Sequence, residues 1–291
     1  MIKQRTCETC GGNDFRGLFQ KQEHDFFRCR VCGLIRIDPQ PADEVLSRIY
    51  GSQYYDAWGV KNGAERVRCL KKLTFKRHVL SQLNLKPGSR ILDCGAAFGA
   101  LMEAAQEMGS EPYGIELAAE AAAAIAQRFG PDRVFSGRFE QAAFPGMGEQ
   151  AFDAVFMCDF IEHVRDPLTV LRKATRLLKP GGFLTITTPD GGSLSRWLMG
   201  AGWPHYKVEH LYYFNRQNLA QLLKQVGVSL TFSGPAWKVL DLLYIQRQFN
   251  AYPRAVTTPA INFLTRCLGS RLSRSPLSFH LGEMIATGTK E

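Results

Sequence analysis

Between residues 90 and 189 the apolar positions follow two alternating rhythms. "RILDCG" (90–95), "EPYGIE" (111–116), "RVFSG" (133–137), "FDAVFMCDF" (152–160) and "FLTITTP" (183–189) are short apolar runs bounded by turn residues, the pattern of buried strands. Residues 98–109, 118–129 and 166–179 space their apolar side chains for helices. The first closes on Gly109 and the last ends before Pro180-Gly181-Gly182. Strand–helix alternation of this kind predicts an α/β, doubly wound, mostly parallel sheet. Such sheets bind ligands at the carboxyl ends of their strands, near the point where strand order reverses. Upstream, Val67, Leu70, Leu73, Val79 and Leu83 recur at helical spacing in a basic amphipathic helix over 65–83, stopped by Pro87-Gly88.

Outside this region the cysteines change the picture. Cys7, Cys10, Cys29 and Cys32 stand as C-x2-C-x18-C-x2-C, with Gly11 and Gly33 behind the two knuckles. Two such turns close a tetrahedral thiolate shell that suits structural Zn²⁺ and leaves no open position for catalysis. The other four cysteines (69, 94, 158, 267) are scattered, as expected of free thiols in a reducing compartment. No run of eighteen apolar residues exists and the first residues lack an apolar signal core, so the expected location is the cytoplasm. With 45% hydrophobic and 22% charged residues the composition is that of an ordinary globular chain.

The first strand–turn–helix of the alternating region carries the informative chemistry. Asp93 ends the strand, and Gly95-Ala96-Ala97-Phe98-Gly99 makes a turn that lets a ligand approach backbone amides at a helix start. Glu116 ends the next strand, where its carboxylate suits a ribose diol. The turn is not the dinucleotide fingerprint, because the third glycine of that motif falls on Ala100.

"ILDCGAAFGALMEAA", then "GIE", then "FDAVFMCDFIEHVRDPLTVLRKATRLLKPGGFLTITTPD" resemble the class I S-adenosylmethionine-dependent methyltransferases over about residues 85–235, and "GEMIATGTK" resembles that fold's last, antiparallel strand. The resemblance implies a seven-stranded sheet and S-adenosylmethionine as cofactor. It implies that Asp93, Gly95, Ala97 and Gly99 line the methionine end, that Glu116 takes the ribose with Leu117 beside the adenine, that Phe139 lies near the adenine edge, and that Asp159 follows the fourth strand. The chain departs from the family at Ala97, where glycine is usual and only a methyl group is added, and at Arg138, where an acidic residue that contacts the adenine amine is common.

No Asn/Asp-Pro-Pro-Tyr/Phe signature follows the fourth strand, which argues against methylation of DNA or protein amide nitrogen. Two acid–histidine pairs stand there instead, Glu162-His163 and Glu209-His210. "YKVEH" (206–210) resembles the Tyr-x-Glu-His segment of zinc-ribbon-bearing deoxysugar C-methyltransferases, which implies His210 as a general base oriented by Glu209; packing against Tyr212 and Phe214 is the other reading. Asp159-x-x-Glu162-His163 resembles the Glu-x-x-Glu-His metal triad of small-RNA and ubiquinone-pathway O-methyltransferases. It implies a shell that His210 completes around Mg²⁺, although Glu-His also occurs here in enzymes without metal.

The net charge of +9 is unevenly spread. Residues 236–275 carry Lys238, Arg247, Arg254, Arg266, Arg271 and Arg274 against one acid, Asp241, among Trp237, Leu240, Leu243, Tyr244, Phe249, Ile261, Leu264 and Leu268. That mixture suits either an interfacial segment on anionic lipid or a helical hairpin packed on the sheet edge or a second subunit. The expected organisation is a zinc ribbon (1–45), a linker and helical cap (46–84) whose Tyr54, Tyr55 and Trp58 form either a lid over the cofactor or a packing surface between ribbon and core, the cofactor-binding core (85–235), a basic helical insert (236–278) and the last core strand (279–291). The expected activity is methyl transfer to an oxygen or carbon of a small molecule or sugar of a glycan or natural-product pathway. A ribosomal or transfer RNA methyltransferase and a non-catalytic binding module are the alternatives.

Overall fold

The computed structural model describes residues 6–49, 64–251 and 257–291. The proposed lid residues Tyr54, Tyr55 and Trp58 lie outside them. In chain order the elements are β1 (Phe15–Lys21), β2 (His24–Cys29), β3 (Ile35–Ile37), α1 (Asp43–Ile49), α2 (Ala64–His78), β4 (Arg90–Cys94), α3 (Ala100–Glu107), β5 (Glu111–Glu116), α4 (Ala119–Phe129), β6 (Val134–Ser136), β7 (Phe152–Cys158), α5 (Pro167–Leu177), β8 (Leu178–Pro189), α6 (Leu194–Met199), β9 (Tyr212–Tyr213), α7 (Arg216–Lys224), β10 (Val228–Leu240), α8 (Leu242–Ala251), α9 (Thr257–Ser273) and β11 (Leu277–Lys290).

Seven strands form one sheet in the order β10-β11-β8-β7-β4-β5-β6. Strands β8, β7, β4, β5 and β6 are parallel, and β11 runs antiparallel between β10 and β8. The central strands are buried on both faces, which is why they read as apolar runs and not as alternating ones. Helix α3 lies very close to β5: a Cβ on Gly114 would meet the Met102 sulfur at 2.6 Å, so any larger residue there displaces the buried Met102 side chain. Strand order reverses between β4 and β7, and the turns that follow these two strands carry the candidate cofactor residues.

A second, four-stranded sheet has the order β1-β2-β3-β9. Its first three strands are interleaved with the cysteine knuckles. The fourth comes from the segment after β8, more than 170 residues downstream, through Ile35↔Tyr213 and Arg36↔Tyr212.

Two expectations about boundaries change. Pro180-Gly181-Gly182 does not separate helix from strand but forms an irregularity inside β8, since pairing with β7 jumps from Phe152↔Leu178 to Ala154↔Phe183. The insert does not become helical at residue 236. Strands β10 and β11 continue past the core as a two-stranded arm, with Trp237↔His280 through Leu240↔Leu277, and α8 and α9 follow at its tip. Helix α2 braces the arm: Thr74 Oγ1 accepts from the Val239 amide (2.8 Å), and Arg66 pairs with buried Asp241 (2.8 Å). Among the described residues, no helix is long and apolar enough to cross a membrane.

Candidate active site

The turn after β4 has the conformation its glycines allow. Gly95 (φ 83°) and Gly99 (φ 70°) lie in the left-handed region. A Cβ on them would meet the Phe160 ring at 3.1 Å and the Phe129 ring at 3.2 Å. Ala97 also has positive φ, 48°. The departure from glycine at this position therefore adds backbone strain of about 1–2 kcal/mol to the added methyl group. Something must hold the turn against that strain. Glu116 does so: its carboxylate accepts the amides of Ala97 and Ala118, both at 2.8 Å. The residue that the resemblance assigns to the ribose thus also ties the glycine turn to the end of β5.

Asp93 is 4% exposed. Burial, then the facing Glu116 carboxylate, push its pKa up to about 7 against the pull of Lys71. Leu117, one residue beyond β5, is 54% exposed, whereas the Phe139 ring is core, packed edge-on to Phe160 at 5.9 Å.

The second group sits beyond β7 and β8. Glu162, His163 and His210 bring one ligand atom each to within 4.8 Å of one another. Glu162 is 1% exposed. One carboxylate oxygen accepts from Thr188 Oγ1 at 3.0 Å, and the other, Oε1, is buried with no hydrogen-bond partner among the described residues. His210 is 6% exposed and its Nδ1 is likewise buried without a hydrogen-bond partner among the described residues. The two imidazoles meet edge to face at 4.7 Å. His163 Nδ1 lies 3.0 Å from the Glu209 carbonyl, which can only accept, so Nδ1 carries the proton and Nε2 the lone pair. Burial lowers both imidazoles, His163 to about 4 and His210 well below the ordinary range with further repulsion from His163, and raises the Glu162 carboxyl. Both histidines are therefore neutral at pH 7 and offer lone pairs.

Two details of the sequence reading are corrected. Glu209 does not orient His210 with its carboxylate, which lies 3.9 Å from Lys207; its backbone carbonyl orients His163 instead. Asp159 is not in the histidine group. Its backbone turns at φ 53°, and its carboxylate pairs with Lys238 (3.1 Å), a residue of the β10–β11 arm that also pairs with Glu283 (2.7 Å). In the sequence Lys238 stands out only as part of a basic insert. Its role as a bridge depends on a register between β10 and β11 that no local pattern specifies.

The four knuckle sulfurs all lie within 4.8 Å of one another, with Cys7–Cys32 at 3.5 Å and Cys10–Cys29 at 3.6 Å. A tetrahedral Zn²⁺ with bonds of about 2.3 Å needs sulfurs about 3.8 Å apart, so the cluster fits the ion. The Cys7–Cys32 hydrogen bond pulls the Cys7 thiol down and pushes the Cys32 thiol up, as expected of two sulfurs sharing one proton.

A sheet with this order, a glycine turn tied to an acidic strand end, and polar groups at the neighbouring strand ends define a class I S-adenosylmethionine-dependent methyltransferase. The family model for the methyltransferase domain matches residues 65–231, and the chain belongs to that family. Among curated proteins it is similar to the ubiquinone biosynthesis O-methyltransferases of Xanthomonas campestris pv. campestris, at 38% identity over 109 residues, which is 35% of this chain and 44% of the relative. The Pseudomonas fluorescens enzyme of the same name is 34% identical over 104 residues, 35% of this chain and 44% of the relative. The chain thus matches less than half the length of these relatives. Among solved structures, Burkholderia thailandensis 1,6-didemethyltoxoflavin-N1-methyltransferase, bound to its substrate and S-adenosylhomocysteine, superposes with a TM-score of 0.52 at 16% identity (94% of this chain, 98% of that one). The [4+2]-cyclase SpnF gives 0.52 at 20% identity (87% and 98%). These likenesses show the fold alone, and the second carries a different chemistry on it.

Proposed function

We propose that the chain transfers a methyl group from S-adenosylmethionine to a hydroxyl oxygen of a small-molecule acceptor in the cytoplasm, and that Glu162, His163 and His210 handle that hydroxyl. The observation that carries this reading is the pair of buried, unpartnered atoms, Glu162 Oε1 and His210 Nδ1, aimed into one group with a third lone-pair donor. Buried polar atoms left unpaired cost about 1–3 kcal/mol each, so a ligand at this spot offsets a standing penalty. The name that the curated relatives share, O-methyltransferase, supports oxygen over carbon. We assign the acceptor to glycan or natural-product chemistry, as a free hydroxylated metabolite or sugar.

In this mechanism Asp93, Gly95, Ala97, Gly99, Glu116, Leu117 and the Phe139 segment hold the cofactor. Bound there, it would supply a methyl group for in-line displacement by the acceptor oxygen and would leave as a thioether that keeps the electron pair of the broken sulfur–carbon bond. The hydroxyl proton passes to His163 Nε2, the imidazole less buried than His210. The donor set also fits a divalent cation, which would make the hydroxyl more acidic. Two imidazoles and one carboxylate suit Zn²⁺ or Mn²⁺ better than the Mg²⁺ that the resemblance raises as a possibility, because Asp159, whose Oδ2 pairs with Lys238, is not among the ligand atoms that converge here. The four-cysteine cluster we assign to structural Zn²⁺.

The test is label transfer from methyl-labelled S-adenosylmethionine to a panel of catechols, phenols and nucleotide sugars. Stable ether products are expected. Tight cofactor binding without transfer to any acceptor would leave a binding module instead. Replacing Glu116 with Ala is expected to weaken cofactor binding by about 1.5–3 kcal/mol, the scale of charge-assisted hydrogen bonds. Unchanged affinity by calorimetry would remove Glu116 from the site. Cofactor binding at pH 7 should also release protons. Asp93 titrates near that pH when the site is empty, and the cofactor's cationic groups favour its carboxylate. Binding enthalpies that do not vary with the ionisation enthalpy of the buffer would contradict this.

A further inference from the structure

Helix α6 buries none of its six residues. Leu194 (68%), Trp197 (70%), Leu198 (67%) and Met199 (46%) all face outward, a large apolar display for so short a helix. The helix sits on β11, where Ser195 lies against Gly282. From there the arm carries Leu281 and Leu277, both exposed, and leads back to α9, which exposes Phe263, Leu264, Leu268 and Leu272. The exposed apolar side chains are thus strung along α6, the arm and α9.

The charges beside them have one sign. Residues 191–208 contain no acid and include Arg196. Residues 236–275 contain only Asp241, which is 1% exposed and paired with Arg66. Arg266, Arg271 and Arg274 are exposed, as are the apolar side chains beside them in the chain. We propose that α6, the β10–β11 arm and α9 form a docking face for the surface of an anionic lipid bilayer. Trp197 and the leucines enter the headgroup boundary and the arginines pair with lipid phosphates. A protein partner with an acidic face is disfavoured because the basic residues lie among apolar tips that such a partner would leave wet. The arm also carries Lys238, bonded to Asp159 at the end of β7, so docking sets the methyl-transfer cleft beside the lipid.

The test is cosedimentation of the full chain with vesicles of phosphatidylglycerol or of phosphatidylcholine alone. Binding to the first at low salt, weakened in 0.5 M salt (about a 4 Å screening length), is expected. Each basic residue near such a surface contributes about a fivefold factor, so R266Q/R271Q/R274Q should bind about a hundredfold more weakly. W197S/L198S should also detach, with unaltered cofactor binding as evidence that both variants are folded. Protein left in the supernatant with anionic vesicles at low salt would overturn the proposal. So would equal binding to both lipids, or a dimer in solution that W197S/L198S turns into monomer.

Discussion

Replacing His210 with alanine is expected to lower kcat by roughly 10²–10⁴-fold, the range for a positioned proton-handling group, with the dissociation constant for S-adenosylmethionine nearly unchanged. The separation of effects follows from the layout. The cofactor turn hangs on β4 and β5 through Glu116, whereas His210 stands beyond β8 against Glu162 and His163. His163→Ala should show the same pattern, because the two rings and the carboxyl share one site. The double variant should then be little worse than either single one, as groups that act as a unit are not additive. Metal removal separates the two ways in which the trio can work. If the three side chains hold a cation, chelation abolishes wild-type turnover, and metal analysis finds one divalent ion fewer in either variant. If they handle the proton alone, chelation leaves the rate intact while the substitutions still slow it. Wild-type turnover in His210→Ala would reduce His210 to a packing residue beside Tyr213.

What is legible in the sequence is what is encoded locally. The strands β4, β5 and β7 are continuous apolar runs, the turn after β4 needs its glycines, and the C-x2-C knuckles place sulfurs by spacing alone; each is read correctly to within a residue or two. The acid–histidine pairs stand out for the same reason. Their partnerships do not, because they depend on chain contacts far apart in sequence. Glu162 meets His210 across 48 positions, and Lys238 reaches Asp159 across 79. The arm reads as helix because its five residues beyond the core, Ala236–Leu240, carry the mixed basic and aromatic composition that also suits an amphipathic helix. Strand β9 is two residues long and exists only because β3 is there to pair with it. No propensity argument finds such an element.

If the cysteine cluster holds the zinc we assign to it, that last contact predicts a role for the ribbon in placing His210. Cys10→Ser is expected to lose zinc, and with it both the fold of the ribbon and most of the turnover, while the cofactor still binds the core. Zinc supplies on the order of 10 kcal/mol or more to small thiolate folds, far more than three short strands gain alone. Strand β9 begins two residues after His210 and pairs with β3 of the ribbon. The Tyr212 hydroxyl reaches Glu8, between the first two cysteines, at 3.2 Å, and Glu8 is locked by Arg36 at 2.6 Å. The Asn215 and Asn218 side chains donate to the Cys32 carbonyl at 3.3 and 3.4 Å. When the knuckles open, these ties go together, and the segment that carries His210 is left with its core-side links, the Leu211 amide on the Glu162 carbonyl (2.7 Å), the Glu209 carbonyl on His163 (3.0 Å) and the Tyr212 hydroxyl on the Arg165 carbonyl (3.0 Å). The expected kcat loss therefore approaches, and does not exceed, that of His210→Ala. Tyr212→Phe, which removes the hydroxyl but leaves the cysteines intact, should retain zinc and lose activity only in part. Zinc content, calorimetric cofactor affinity and kcat measured on the same preparations decide the matter. A zinc-free Cys10→Ser protein with full turnover would mean that the ribbon has no part in placing His210, and that the β3–β9 pairing is dispensable for the chemistry.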